Sequence, residues 1–242
     1  MPGLYANLSF DEYKAIDAVN NSTLSAFHKL PILSQIEKPT TPAMETGIHG
    51  HTFFLEPEIY PTVKVKPAND ERYREIEKSL LSGQYETARG LIYNKDAQRE
   101  LSVVWQHPLE GCLCKARPDI AIEKFGIIAD LKFGTNAESE GWLKTMINAD
   151  INPHWQARWY LDGINAALKK EVYTVFLWIL IETKPPWGIS VIQPDWEMLE
   201  IAKGQINETL AQYLAAKASG IFLGYPDKIQ SVALPRWYVK QF

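Results

Sequence analysis

Asp119 closes the run Lys115-Ala116-Arg117-Pro118-Asp119, and further along Asp130 is followed at two positions by Lys132. If the two acids lie on neighbouring strands joined by a hairpin through Lys124-Phe125-Gly126, alternate residues share a face. Asp130 and Lys132 then point together, with Asp119 brought beside them. Hard divalent cations take oxygen ligands, and Mg²⁺ is held by one or two carboxylates together with water and substrate phosphate. A cation so held polarises a scissile phosphate and acidifies a water, while a lysine beside it orients that water or offsets developing charge. Phosphodiester hydrolysis is the chemistry this spacing predicts. Strand-end carboxylates beside a solvated lysine spell the same letters without any activity. The apolar run Gly126-Ile127-Ile128-Ala129 favours the chemical reading, because a buried strand needs a reason to carry charge.

Other side chains fit the same chemistry less specifically. His51 follows Gly47 by four residues and precedes Leu55-Glu56-Pro57. Its imidazole can complete a metal shell, and a nitrogen ligand makes Mn²⁺ acceptable alongside Mg²⁺. It serves equally as a hydrogen-bonded core histidine, and His49 competes with it for either role. Gln156 and Tyr160 sit one helical turn apart, within reach of a phosphate or a water on the metal. Alternatively, Trp155, Trp159, Tyr160 and Ile164 form a packing stripe with Gln156 at its polar margin. Ser22 and Lys29, with Arg117, suggest a 5′-phosphate site at a helix end, although Ser22 also reads as a simple N-cap and Lys29 as a solvated side chain. Trp142, Trp155, Trp159 and Trp237 have faces that stack on bases, but aromatic residues in a globular chain are more often core.

The elements that must position these groups follow from periodicity and punctuation. Residues 9 to 30 read as two short helices, the second opening at Asn21-Ser22-Thr23 and closing before Pro31. A helix from Met44 to Leu55 carries both histidines. Residues 62 to 67 suggest a short strand, and 69 to 83 a helix capped by Asn69. The runs 101–107, 111–124 and 126–132 read as three adjacent strands. Helices over 138–148 and 154–168, strands over 172–182 and 188–193, and a long helix over 195–218 complete the pattern. This order predicts an α/β or α+β domain on a mixed sheet flanked by helices.

Composition bounds the partners. The chain has 242 residues, 46% hydrophobic, enough for one domain with a full core. A net charge of −4 argues against coating nucleic acid over the whole surface but leaves room for a local basic groove. Only two cysteines, Cys112 and Cys114, are present, too few for a cysteine-ligated zinc or iron–sulfur cluster and spaced in a way rarely bridged. They suit a reducing cytoplasm. No secretion leader or membrane anchor is legible.

Taken together, these pieces resemble the RecE (exonuclease VIII) family of phage and prophage exonucleases, within the PD-(D/E)XK group that includes lambda exonuclease. The likeness rests on Tyr13 and Ala18-Val19-Asn20-Asn21-Ser22, on Gly47, His51 and Leu55-Glu56-Pro57, and on the run Lys115 to Asp119. It continues with Asp130 to Lys132, Gln156 and Tyr160, and the closing Leu234-Pro235-Arg236-Trp237. The resemblance implies a PD-(D/E)XK core over a single domain, 1–242, whose first 60 residues form a helical part contributing His51. It implies that His51, Asp119, Asp130 and the main-chain carbonyl of Leu131 hold Mg²⁺, with Mn²⁺ able to substitute, in two-metal hydrolysis. Lys132 serves catalysis with Gln156 and Tyr160 in support, and His49 matches no family position. Relatives commonly place threonine after the lysine, whereas this chain has Phe133-Gly134 and reaches Thr135 later.

The implied activity is 5′ to 3′ degradation of linear double-stranded DNA, leaving 3′ tails for a single-strand annealing recombinase. A processive ring of three or four identical subunits goes with it, its interface assigned to the amino-terminal segment and the tail Leu234 to Tyr238. The setting is the cytoplasm of a bacterial or phage-infected cell. The alternatives are an endonuclease or single-strand-specific nuclease of the same group, and a non-catalytic DNA-binding or assembly protein.

Overall fold

The computed structural model describes residues 1–37, 39–149 and 151–234. In chain order the elements are β1 (Gly3–Tyr5), α1 (Phe10–Ala15), α2 (Asn21–Lys29), α3 (Pro42–Leu55), α4 (Pro67–Leu81), α5 (Glu86–Ile92), β2 (Gln98–Arg99), β3 (Ser102–Gln106), β4 (Leu113–Ala116), β5 (Ile120–Ile122), β6 (Ile127–Gly134), α6 (Ser139–Asn148), α7 (Pro153–Leu168), β7 (Val175–Glu182), β8 (Ile189–Ile192) and α8 (Trp196–Ser219). Helix starts follow local chemistry. Ser9 forms a reciprocal capping box with Glu12, while Asn20, Thr41 and Asp195 accept from the first-turn amides of α2, α3 and α8.

A five-stranded sheet runs in the order β2-β5-β6-β7-β8, and a second, three-stranded sheet in the order β1-β3-β4. Among the described residues of the larger sheet, only β6 and β7 pair in parallel. Parallel neighbours need a crossover, which α6 and α7 supply. Strand β6 alternates between two cores. Ile128 joins a tryptophan-rich cluster with Trp105, Trp155, Trp159 and Trp178 under α7 and α8. Ala129 and Leu131 face a cluster with Phe54, Tyr73, Ile76 and Leu80 from α3 and α4. This is the expected mixed sheet flanked by helices.

Several expectations are corrected. Residues 62 to 67 form no strand: a short 3-10 turn, Tyr60–Thr62, leads through extended chain into α4, which Pro67 opens. Pro61 and Pro67 carry no amide for a ladder. Lys66, rather than Asn69, stands at the cap position, and Asn69 is buried inside the helix, where it accepts from Arg72. The run 111–124 breaks at Arg117-Pro118 into β4 and β5, which belong to different sheets, so the three central runs are not one set of adjacent strands. Trp142, Trp155 and Trp159 are buried and cannot stack on bases, whereas Trp237 lies outside the described residues.

Cys112 and Cys114 are free thiols, 3.7 Å apart. Among the described residues, no helix is long and apolar enough to cross a membrane.

Candidate active site

The hairpin foreseen between the two acids forms. Ile120 of β5 pairs with Ala129 of β6, which sets Asp119 opposite Asp130. Gly126 makes the turn possible: its φ is +63°, and a Cβ there would lie 2.5 Å from the Val172 carbonyl oxygen. Asp119 and Asp130 are both buried, at 5% and 1% exposure. Asp119 Oδ2 accepts the Leu131 amide at 2.7 Å, which fixes its carboxylate against the backbone of β6.

From the other core, α3 brings in His51. Gly50 lets the helix sit directly on the Phe133 ring, for a Cβ at that position would lie 2.6 Å from it. Phe133 also packs against Phe54 and the His51 ring. Phe133, which follows Lys132 directly, is thus the surface on which α3 rests. So seated, His51 Nε2 lies 3.0 Å from the Leu131 carbonyl oxygen and 3.6 Å from Asp119 Oδ2. His49, two residues earlier, projects from the far side of the helix and shares none of these contacts among the described residues. Of the two histidines, His51 is the one beside Leu131 and Asp119.

On the α7 side the contacts are different. Lys132 Nζ lies 2.5 Å from Asp130 Oδ2 as an ion pair. Gln156 Nε2 donates to Asp130 Oδ1 at 2.7 Å and to the Tyr160 hydroxyl at 3.2 Å. The pair one turn apart on α7 therefore reaches the site, while Trp155 and Trp159 serve packing.

One group at this site has no motif to announce it. Glu100 precedes β3 with φ +49°, a backbone conformation uncommon outside glycine. Its amide donates to the Asp119 carbonyl at 3.0 Å, and the next amide, Leu101, to the Pro118 carbonyl at 3.1 Å. Ligand atoms of His51, Glu100 and Asp119 lie within 4.8 Å of one another. Arg117 Nε donates to Glu100 Oε2 at 2.7 Å. In the sequence Glu100 is simply an acid that precedes Asp119 by two strands, β3 and β4.

Crowded acids hold protons more tightly. Burial and the Asp130 charge push Asp119 well above the usual carboxylate range, against the pull of Lys132 and the Leu131 amide. Burial and the Asp119 charge push Glu100 up to about 7, opposed by His51 and Arg117. Tyr160 is pushed far above the ordinary phenol range by burial and by Asp130, so it keeps its proton and acts by hydrogen bonding.

The donor set fits a hard divalent cation. With its proton on Nδ1, His51 presents the Nε2 lone pair beside two oxygens, the Leu131 carbonyl and Asp119 Oδ2. Neighbouring ligands around an octahedral Mg²⁺ stand about 3 Å apart, close to the 3.0 Å separating His51 Nε2 from the Leu131 oxygen. A cation would also relieve the repulsion between buried carboxylates.

Beside Gln156 and Tyr160 opens a cleft of about 430 Å³ lined by Phe10, Lys14, Asn20, Ser22 and Lys115 among others. Of the three residues expected to form an anion site, only Ser22 lines it. Lys29 stands at the opposite end of α2, about 10 Å along the axis. Arg117 is partly buried and committed elsewhere, its guanidinium bonded to Glu100, the Leu8 carbonyl and Ser102 Oγ. Lys115 donates to the Tyr13, Lys14 and Ile16 carbonyls, latching the end of α1 to β4. Lys14 is the remaining cation at the cleft.

A family model described as a PDDEXK-like domain of unknown function (DUF3799) matches residues 9–234. No curated protein matches significantly. Among solved structures, a candidate exonuclease from Eubacterium rectale superposes with a TM-score of 0.70 at 14% identity, covering 96% of this chain and 98% of its own. A phage-related exonuclease from Haemophilus somnus 129PT gives 0.39 at 10% identity, covering 82% and 95%. The alkaline exonuclease LHK-Exo from Laribacter hongkongensis gives 0.34 at 14% identity, covering 87% and 98%.

Proposed function

This chain belongs to the PDDEXK-like family whose model spans residues 9–234, and on that premise we propose that it is a Mg²⁺-dependent exodeoxyribonuclease that degrades linear duplex DNA from 5′ ends. The observation that carries the reading is the meeting, at one point of β6, of His51 and Asp119 with Asp130, Lys132 and Gln156. When bound, a divalent cation would supply Lewis acidity toward a phosphate oxygen and acidify an attacking water. His51, Asp119, Asp130 and the Leu131 carbonyl are the groups to hold it, and Mn²⁺ is an acceptable substitute for a site with one imidazole.

The remaining work falls to the chain itself. Lys132, anchored on Asp130, places an ammonium where charge develops on the phosphate and where a water needs orienting. Gln156 fixes the second oxygen of Asp130, so the carboxylate cannot rotate away from the site. Tyr160, protonated, holds Gln156 in turn. Lys14, Ser22 and the start of α2 are positioned at the neighbouring cleft to receive the phosphate of a 5′ end.

The finer reading follows the RecE-type motifs. The 3′ tails would be handed to a single-strand annealing recombinase in the cytoplasm. The enzyme would work as a ring of three or four copies, because a chain of net charge −4 gains little from overall attraction to DNA and is retained better by encirclement. Of the tail assigned to that ring's interface, residues 235–238 lie outside the described residues.

The test is digestion of 5′- and 3′-labelled linear duplex and of circular plasmid with Mg²⁺. Early release of 5′ label with intact circles is the expected result. Nicked circles would make the protein an endonuclease, digestion of single strands alone would change the substrate, and absence of digestion would leave a DNA-binding module.

A further inference from the structure

Glu100 belongs to none of the motifs that carry the nuclease reading, yet its placement is built. The left-handed backbone at this non-glycine residue is held by two amides bonded to Pro118 and Asp119, so the chain before β3 is tied to the residues that present Asp119. The side chain is turned inward, 15% exposed, although an acid at the edge of a sheet is free to face water. Its carboxylate reaches to within 4.8 Å of both His51 and Asp119 ligand atoms.

Among the described residues, charge counting shows that the cluster is short of cations. Glu100, Asp119 and Asp130 surround the site, whereas Arg117 and Lys132 are the positive side chains paired with them. Lys132 is committed to Asp130 and Arg117 to Glu100, which leaves Asp119 with the Leu131 amide and the imidazole. The three ligand atoms lie close enough together for one divalent cation to be shared among Glu100, His51 and Asp119 with small adjustments of the side chains.

We propose that Glu100 is a direct ligand of the divalent cation held by His51 and Asp119, with Arg117 orienting the carboxylate toward that position. The proposal rests on the nuclease reading and deepens it. Arg117 grips the carboxylate through Oε2 and is itself fixed by the Leu8 carbonyl and Ser102. Such an outer partner aims a ligand without occupying the site.

Glu100→Gln keeps the volume and an oxygen acceptor for Arg117 but removes the charge. Titration of the full chain with Mn²⁺, followed by calorimetry and by the electron paramagnetic resonance of the bound ion, is the readout. The affinity should fall at least ~10-fold in Glu100→Gln, the range seen even for outer partners of metal ligands. A purely structural Glu100 would leave the affinity and the resonance signal as in the wild type, which overturns the proposal. Should the unpaired guanidinium prevent folding, Glu100→Gln combined with Arg117→Met removes both charges and is read the same way. Wild-type protein that neither binds Mn²⁺ nor digests DNA would defeat the nuclease reading itself. Wild-type protein that does both, beside a Glu100→Gln variant of undiminished affinity, would defeat this inference alone.

Discussion

On the α7 side of strand β6, Asp130 has a partner for each oxygen: Lys132 on one and Gln156 on the other. On the α3 side, Asp119 and Glu100 crowd together beside a half-buried imidazole, with one guanidinium and one amide to satisfy them. One half is neutralised by its own side chains, and the other awaits positive charge from outside. On the proposed reading, the α3 half is where a cation would gain most, while the α7 half holds an ammonium beside Asp130, the proposed ligand that is already fixed in place.

Breaking each half separately tests that division. Asp119→Asn and Asp130→Asn should each lower Mg²⁺-dependent cleavage by at least ~10³-fold. The comparison sharpens if Mn²⁺ affinity falls further in Asp119→Asn, and it collapses if either variant turns over DNA near the wild-type rate. Lys132→Met should cut turnover by ~10²- to 10³-fold while calorimetry shows metal affinity retained. A parallel collapse of affinity would make the lysine a structural partner of Asp130. His51→Ala should weaken metal affinity by ~10- to 100-fold, whereas His49→Ala should stay within about twofold of wild type. Equal losses in the two would remove α3 from the binding half.

The subtlest test is pH. In the metal-free fold both Asp119 and Glu100 titrate above their unfolded values, Glu100 at about 7. The contribution of such groups to stability is complete below about pH 4 and is lost as pH rises through the folded values. For Glu100 the loss by pH 8 is on the order of 3 kcal/mol. Added Mg²⁺ should therefore raise the melting temperature more at pH 8 than at pH 5. A rise independent of pH would mean that these carboxylates are not the ones relieved.

What was legible in the sequence and what was not divide along similar physical lines. Asp119, Asp130 and Lys132 could be read because a strand repeats every two residues and a hairpin brings its arms into register. Gln156 and Tyr160 could be read because a helix repeats every turn. His51 needed the surrounding spacing to be told from His49. Glu100 was invisible, since its approach depends on a left-handed residue and on backbone bonds between segments that no periodicity describes. Ser22 and Lys29 lie at opposite ends of α2, because nearness in sequence is not nearness along a helix, and Arg117, beside the motif, is committed to an ion pair with Glu100. The short strand expected at 62–67 was alternation without ladder partners, flanked by prolines.

The seat of α3 on Phe133 makes two distant positions mutationally interdependent. Gly50→Ala alone should push the helix off the ring and cost about 1 to 3 kcal/mol from overpacking, carrying His51 away from the Leu131 carbonyl. Phe133→Thr alone should loosen the same contact by leaving space under the helix. Together the two changes compensate in volume, so a double-mutant cycle measured by denaturant unfolding should give a favourable coupling of about 0.5 to 3 kcal/mol. Strict additivity would show that the contact bears no strain. Phenylalanine at 133 thus needs glycine at 50, and the two positions, 83 residues apart in the chain, behave as one packing unit.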